Sequence, residues 1–143
     1  MAYDPNNIFA RILRGEVPSH KVFEDDDTIA ILDVMPQSDG HTLIIPKTPA
    51  ENLFDLDTGM AEAVMRTGQR LALAVLRAFH PDGVTLMQFN GAEAGQTVFH
   101  FHLHVIPRYA GQPLRSHGRG FADPAVLAEQ AMHLKAALDS LEP

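Results

Sequence analysis

The chain has 143 residues, 45% of them hydrophobic and 20% charged, with a formal net charge of −7. That length fits one domain with a true core, and the acidic balance argues against a duplex nucleic-acid binder while leaving room for a small nucleotide in a local pocket. There is no cysteine, which excludes disulfides and thiolate metal sites.

In chain order, Asn7 reads as the N-cap of a short helix carrying Ile8, Phe9, Ile12 and Leu13 at helical spacing and stopping near Gly15. Residues 20–24 and 28–34 read as strands around the acidic turn Asp25-Asp26-Asp27, and after a loop through Pro36 and Gly40 a third β-rich run spans 41–46. Residues 57–79 carry the strongest helical signal, with Met60, Val64, Leu71, Val75 and Leu76 spaced for one buried face and Asp57 or Thr58 placed to cap it. His80-Pro81-Asp82-Gly83 breaks that helix, residues 84–89 form a strand, and 90–95 form a small-residue loop. A histidine-bearing strand starts at His100 and is ended by Pro107; 108–120 is an aperiodic surface segment; and a last amphipathic helix over 124–141 starts with Pro124 behind the cap Asp123. Strands interrupted by one long helix, with short links between the early strands, predict an α+β fold with an antiparallel sheet of about five strands. No apolar run nears the ~18 residues of a membrane span, and the N-terminus lacks the regions of a signal peptide. The expectation is a cytoplasmic protein with neither membrane nor nucleic-acid partners.

The segment His100-Phe101-His102-Leu103-His104-Val105-Ile106 is the most informative. In an extended strand its imidazoles line one face roughly 6–7 Å apart, while Phe101, Leu103 and Val105 point into a core. The row is compatible with a solvent-facing stripe, with a metal site needing a further ligand, or with a nucleophilic histidine flanked by helpers. Gly95-Gln96-Thr97 just before it sets an amide and a hydroxyl beside the imidazoles, donors suited to the charge that develops on a transferring phosphoryl group. The third reading is favoured.

These residues, with Ala94-Gly95-Gln96-Thr97-Val98 ahead of them, resemble the signature of the histidine-triad (HIT) nucleotide-binding superfamily. The likeness extends to Asn7-Ile8-Phe9-Ala10-Arg11-Ile12, to the run from Ile29 through Asp33 to Pro36, and to Gly40-His41 through Pro46-Lys47, covering most of 7–109. It implies a single HIT domain over 1–143 with a C-terminal extension from about 110. It implies His102 as the nucleophile of a nucleotidyl-histidine intermediate and His100 as its orienting group. His104 and His41 would sit near the phosphate, Gln96 would position that phosphate, and Thr97 would donate to it or to the leaving group. Asn90 would contact the ribose or phosphate, Asp33 would accept from the ribose hydroxyls, and Ile8, Phe9, Ile12, Ile31, Val34 and Leu43 would form the base slot. Without the resemblance, Ile8, Phe9 and Ile12 read as plain core, Asp33 as a turn residue and His41 as the start of a strand. His20, His80, His117 and His133 read as surface residues, and Arg108, Arg115, His117 and Arg119 as a solvated loop that could reach a polyphosphate.

Many bacterial relatives carry a zinc-binding Cys-x-x-Cys in the opening helix; here Asn7 and Ala10 stand there, and Thr48-Pro49 replaces a further histidine. Of that ligand set only His100 remains, so neither a structural zinc nor another cofactor is expected. The resemblance favours the Hint branch: a homodimer, built on the long helix, that hydrolyses phosphoramidates of a purine nucleoside monophosphate. The alternatives are a Fhit-like dinucleoside polyphosphate hydrolase and a non-catalytic nucleotide-binding module.

Overall fold

The structure is a computed structural model describing residues 2–116 and 120–141. Helix α1 (Ile8–Leu13) is started by Asn7, whose side chain accepts from the Ala10 N–H at 2.9 Å. Strands β1 (Lys21–Glu24), β2 (Thr28–Leu32) and β3 (Thr42–Pro46) follow, then helix α2 (Thr58–Phe79), capped by the Asp57 carboxylate on the Gly59 N–H. Strands β4 (Gly83–Met87) and β5 (Leu103–Arg108) precede helix α3 (Pro124–Leu141), where Asp123 accepts from the Ala125 N–H at 2.9 Å. The five strands form one antiparallel sheet in the order β1-β2-β3-β5-β4. This is the α+β architecture the element order predicts. Among the described residues no helix is long and apolar enough to cross a membrane.

Strand alternation divides the molecule into two layers. Ala30, Leu32, Ile44, Leu103 and Val105 turn to one face and pack with Val64, Leu71 and Val75 of α2 and Leu127 and Leu134 of α3. Phe101 joins them, so all three apolar residues expected to point into the core do so. Ile29, Ile31, Leu43 and Ile45 turn to the opposite face, where Phe9 of α1 covers them. Truncating a fully buried residue such as Ile44 would cost about 2–5 kcal/mol.

The histidine strand departs from expectation at both ends. The histidine strand begins at Leu103 rather than His100, because Phe101 N–H bonds to Ala50 and the His100 carbonyl is taken by an imidazole, leaving neither for the ladder. The strand also runs through Pro107 to Arg108. β3 pairs with β5 only over Leu103–Val105, so Pro107 has a ladder on one flank alone, where a missing N–H is tolerated, and its carbonyl accepts from the Ser38 hydroxyl at 2.6 Å. On α2, Leu76 lies outside the buried face; Ala63, Thr67, Gly68 and Ala74 complete that face instead. Gly40, at φ +90°, closes the turn before β3 where a Cβ would stand 2.8 Å from the Phe79 ring.

Candidate active site

The α1 face of the sheet opens into a cavity of about 940 Å³. One wall is the expected apolar slot: Ile8, Phe9 and Ile12 from α1, Ile31 and Leu43 from the sheet, and Val34 just beyond β2, with Val17 and Pro18 extending it. Asp33, Thr97, His102 and His104 stand within the same cavity, which Met87 and Phe89 also line. The backbone lines it through Gly95, which holds φ +102° beside the Phe89 ring.

Hydrogen bonds assign the imidazole tautomers. The Nδ1 of His102 is 2.7 Å from the His100 carbonyl oxygen. A carbonyl only accepts, so Nδ1 carries the proton, and in the neutral ring Nε2 holds the lone pair, the form a nucleophile needs. Edge-on packing sets that ring in place, with centroids 4.8 Å from Phe9 and 5.1 Å from His104. His41 lies behind the cavity wall, fully buried. The Gln37 backbone N–H donates to its Nδ1 at 3.0 Å, so its Nε2 carries the proton that faces His104 Nδ1 at 2.9 Å. With both rings neutral, His104 therefore carries its own proton on Nε2. The Asp33 carboxylate is 3.5 Å from His41 Nε2 and also accepts from the Met35 N–H at 2.8 Å.

Asp33, His41 and His104 offer three buried ligand atoms within 4.8 Å of one another, the arrangement among the described residues that could hold a metal ion. An ion there would have to displace the proton that the two rings share.

His100 differs from its neighbours. Its ring is buried outside the cavity, with Nε2 2.8 Å from the Pro46 carbonyl and Nδ1 2.6 Å from the Tyr3 hydroxyl. Burial pushes its pKa down, against the weaker upward pull of the Pro46 carbonyl. Its backbone oxygen, not its imidazole, meets His102. The Gln96 amide is bonded away from the cavity. Its amide nitrogen donates to the Glu51 and Val98 carbonyls at 2.6 and 3.0 Å, and its oxygen accepts from the Gly91 N–H at 2.8 Å. Both ends are spent on knitting two loops together, so it lies outside the cavity walls. Asn90 likewise is not a wall residue: it accepts from the Leu53 N–H and exchanges amide bonds with Gln88.

Arg115 pairs with Asp39 at 2.9 Å, and Arg108 reaches toward the Thr85 hydroxyl at 3.4 Å. His80 and His133 are exposed and His20 is half-buried, while His117 and Arg119 lie outside the described residues. Sequence reasoning missed Tyr3, which meets His100 from 97 positions away, and Leu114 and Phe121, which reach the cavity from an aperiodic segment. No local pattern marks any of them; the hydrogen bond of Ala122 N–H to the Val34 carbonyl, which lays that segment along the rim, forms only in the fold.

The HIT-domain family model matches residues 14–111. Protein hit of Bacillus subtilis is 42% identical over 104 residues, covering 73% of this chain and 72% of that protein. Adenylylsulfatase HINT3 of Arabidopsis thaliana is 39% identical over 116 residues, 77% of this chain but 59% of its own length. The crystal structure of a Hit-like protein from Bartonella henselae superimposes with a TM-score of 0.89 at 48% identity, covering 95% of this chain and 99% of that one. With a matching domain over most of the chain and a matching fold around the histidine row, the protein belongs to the HIT family of nucleotide-binding proteins.

Proposed function

We propose that the protein hydrolyses the bond between a purine nucleoside 5′-phosphate and an amine, through a nucleotidyl intermediate on His102. The observation that carries this reading is the His102–His100 carbonyl bond, which leaves the lone pair on Nε2 of a ring lining an apolar-walled cavity. The base occupies the slot of Ile8, Phe9, Ile12, Ile31, Val34 and Leu43. The ribose hydroxyls donate to Asp33. The phosphate lies between Thr97, His102 and His104.

His102 Nε2 forms a bond to phosphorus as the phosphorus–nitrogen bond of the substrate breaks. The departing amine needs a proton. The His41–His104 pair, holding one extra proton balanced by Asp33, gives up the proton on His104 Nε2 and keeps the one between the rings, so the pair is left neutral with a lone pair on His104 Nε2. Water then attacks phosphorus, His102 leaves as a neutral ring, and the proton set free goes back to the pair. Thr97 donates to a phosphoryl oxygen as charge builds there.

Among the described residues the cavity walls carry no lysine or arginine. That favours a monophosphate ester with a small leaving group over a polyphosphate chain, which would call for cationic partners. The same family expectation, together with the apolar stripe on α2 and the edge position of β4, supports a two-fold homodimer.

Turnover of adenosine 5′-phosphoramidate beside that of a dinucleoside tri- or tetraphosphate tests the reading. We expect hydrolysis of the former, a stronger signal than the latter, and loss of at least about 10⁴-fold in kcat for His102→Ala, the scale seen on removing a nucleophile. Wild-type rates in His102→Ala would overturn the mechanism. Preference for the polyphosphate would overturn the substrate class.

A further inference from the structure

The hydroxyl of Tyr3 is 2.6 Å from His100 Nδ1, and the opposite nitrogen of that ring is 2.8 Å from the Pro46 carbonyl. Because the carbonyl only accepts, Nε2 carries the proton, Nδ1 is a lone pair, and the phenol is the donor. The ring is fully buried, so Nδ1 depends on a protein donor, and an unmet acceptor there would be costly.

The segment that carries Tyr3 is itself anchored. Arg14 donates to the Pro5 carbonyl and the Asn7 amide to the Asp4 carbonyl, both at 2.7 Å, which ties residues 4–7 to α1. From the same helix, Phe9 packs edge-on against both His100 and His102, with centroids 6.5 and 4.8 Å away. Tyr3 packs edge-on against His100 at 5.7 Å. The N-terminal lead and α1 thus grip His100 from one side while Pro46 grips it from the other.

We propose that Tyr3 is a positioning residue of the candidate active site: its hydroxyl holds the His100 ring in one tautomer and one orientation, and so holds the His100 carbonyl that takes the Nδ1 proton of His102. The effect passes through placement of the backbone, since a residue's carbonyl is not conjugated with its own imidazole. It also joins two parts of the site. The helix that forms a wall of the base slot is continuous with the residue that steadies the nucleophile's partner. This inference rests on the reading of His102 as the nucleophile.

Tyr3→Phe in the full chain removes one oxygen and keeps the ring. Two measurements decide the matter. In nitrogen-resolved NMR of the free protein, we expect His100 Nδ1 to move toward the position of a lone pair that accepts no bond, and the His102 ring signals to shift with it. In turnover of adenosine 5′-phosphoramidate, we expect kcat to fall about 3–10-fold with KM within about twofold, the loss of one hydrogen bond read through positioning. A His100 signal that moves while His102 signals and kcat stay at wild-type values would overturn the proposal and leave Tyr3 a packing residue. Unchanged signals from both rings would overturn it outright. If the wild-type protein shows no phosphoramidate turnover, the functional reading fails, yet the NMR comparison still decides whether Tyr3 sets the two rings.

Discussion

His41 offers a way to separate its two hydrogen bonds. Its Nδ1 accepts from the Gln37 N–H and its Nε2 donates to His104, 3.0 and 2.9 Å away respectively. An asparagine oxygen falls near the position of Nδ1, whereas a glutamine amide reaches the position of Nε2. His41→Asn therefore keeps the bond to Gln37 and loses the one to His104; His41→Gln does the reverse. Hydrogen bonds that act on a charged group are worth about 1.5–3 kcal/mol. If the pair carries the proton for the leaving amine, His41→Asn forfeits a bond of that kind. At about 1.4 kcal/mol per tenfold change, kcat then falls by roughly 10- to 150-fold. His41→Gln retains a donor to His104 Nδ1 and should lose less than about tenfold. Both variants bury one unmet backbone or imidazole group, so both should be destabilised by a similar amount, about 1–3 kcal/mol. Steady-state rates with adenosine 5′-phosphoramidate, read alongside thermal melts, check this. Equal kcat losses in the two variants, or a larger loss in His41→Gln, would refute the assignment of the His41 Nε2 proton to His104.

Gly40→Ala should lower the melting temperature by roughly 5–15 °C, from about 1–2 kcal/mol of left-handed strain and 1–3 kcal/mol of overpacking against Phe79. The loss should shrink in a Phe79→Leu background, and an unchanged melt would show the close approach to be unimportant. For His100, burial lowers the folded-state pKa beneath the ordinary value of 6.5, so below that pH the unfolded chain binds a proton that the folded ring resists. Stability present above pH 6.5 is then lost as pH falls through the folded-state pKa. Denaturant midpoints between pH 7.5 and 5.5 should fall more steeply for wild type than for His100→Gln, and equal slopes would count against a neutral buried ring. The exposed residues Met65 and Leu76 lie on one stripe of α2, and Met65 shares a groove with Leu86 of the edge strand β4. Met65→Asp with Leu76→Asp should convert the proposed homodimer to monomer in sedimentation velocity, whereas a wild-type protein that sediments as a monomer would dispose of the dimer.

What the sequence makes legible is local or periodic. Asn7, Asp57 and Asp123 cap the helices they precede because capping needs only a side-chain oxygen and the next turn's N–H groups. Alternation places Phe101, Leu103 and Val105 in the core and His102 and His104 in the cavity. Ile8, Phe9, Ile12, Ile31, Val34 and Leu43 line one cavity, but their reading as a base slot rests on a family likeness, since apolar residues on a short helix look the same whether they line a slot or fill a core. Contacts between distant segments were not legible. Gln96 lies just ahead of the histidine row in sequence, yet its amide is claimed by the Glu51 carbonyl, brought beside it only by the fold of the loop after β3. Tyr3 and Phe121 carry no spacing signal, because their partners lie far away in the chain.

The three histidines also show why a motif's side-chain spacing is an incomplete guide to its chemistry. A regular strand from His100 would place that carbonyl in the ladder and its imidazole beside the other two. Instead the chain stays irregular until Leu103, which releases the carbonyl to meet His102 and turns the imidazole toward Pro46 and Tyr3. A neutral His102 has two tautomers, and only the one with a proton on Nδ1 can satisfy that carbonyl. The irregular backbone thus selects the state of the ring that can attack. A substitution at 100 that keeps the backbone path should therefore preserve the His102 tautomer, whereas one that draws residues 100–102 into the strand would abolish it even though His102 and His104 remain.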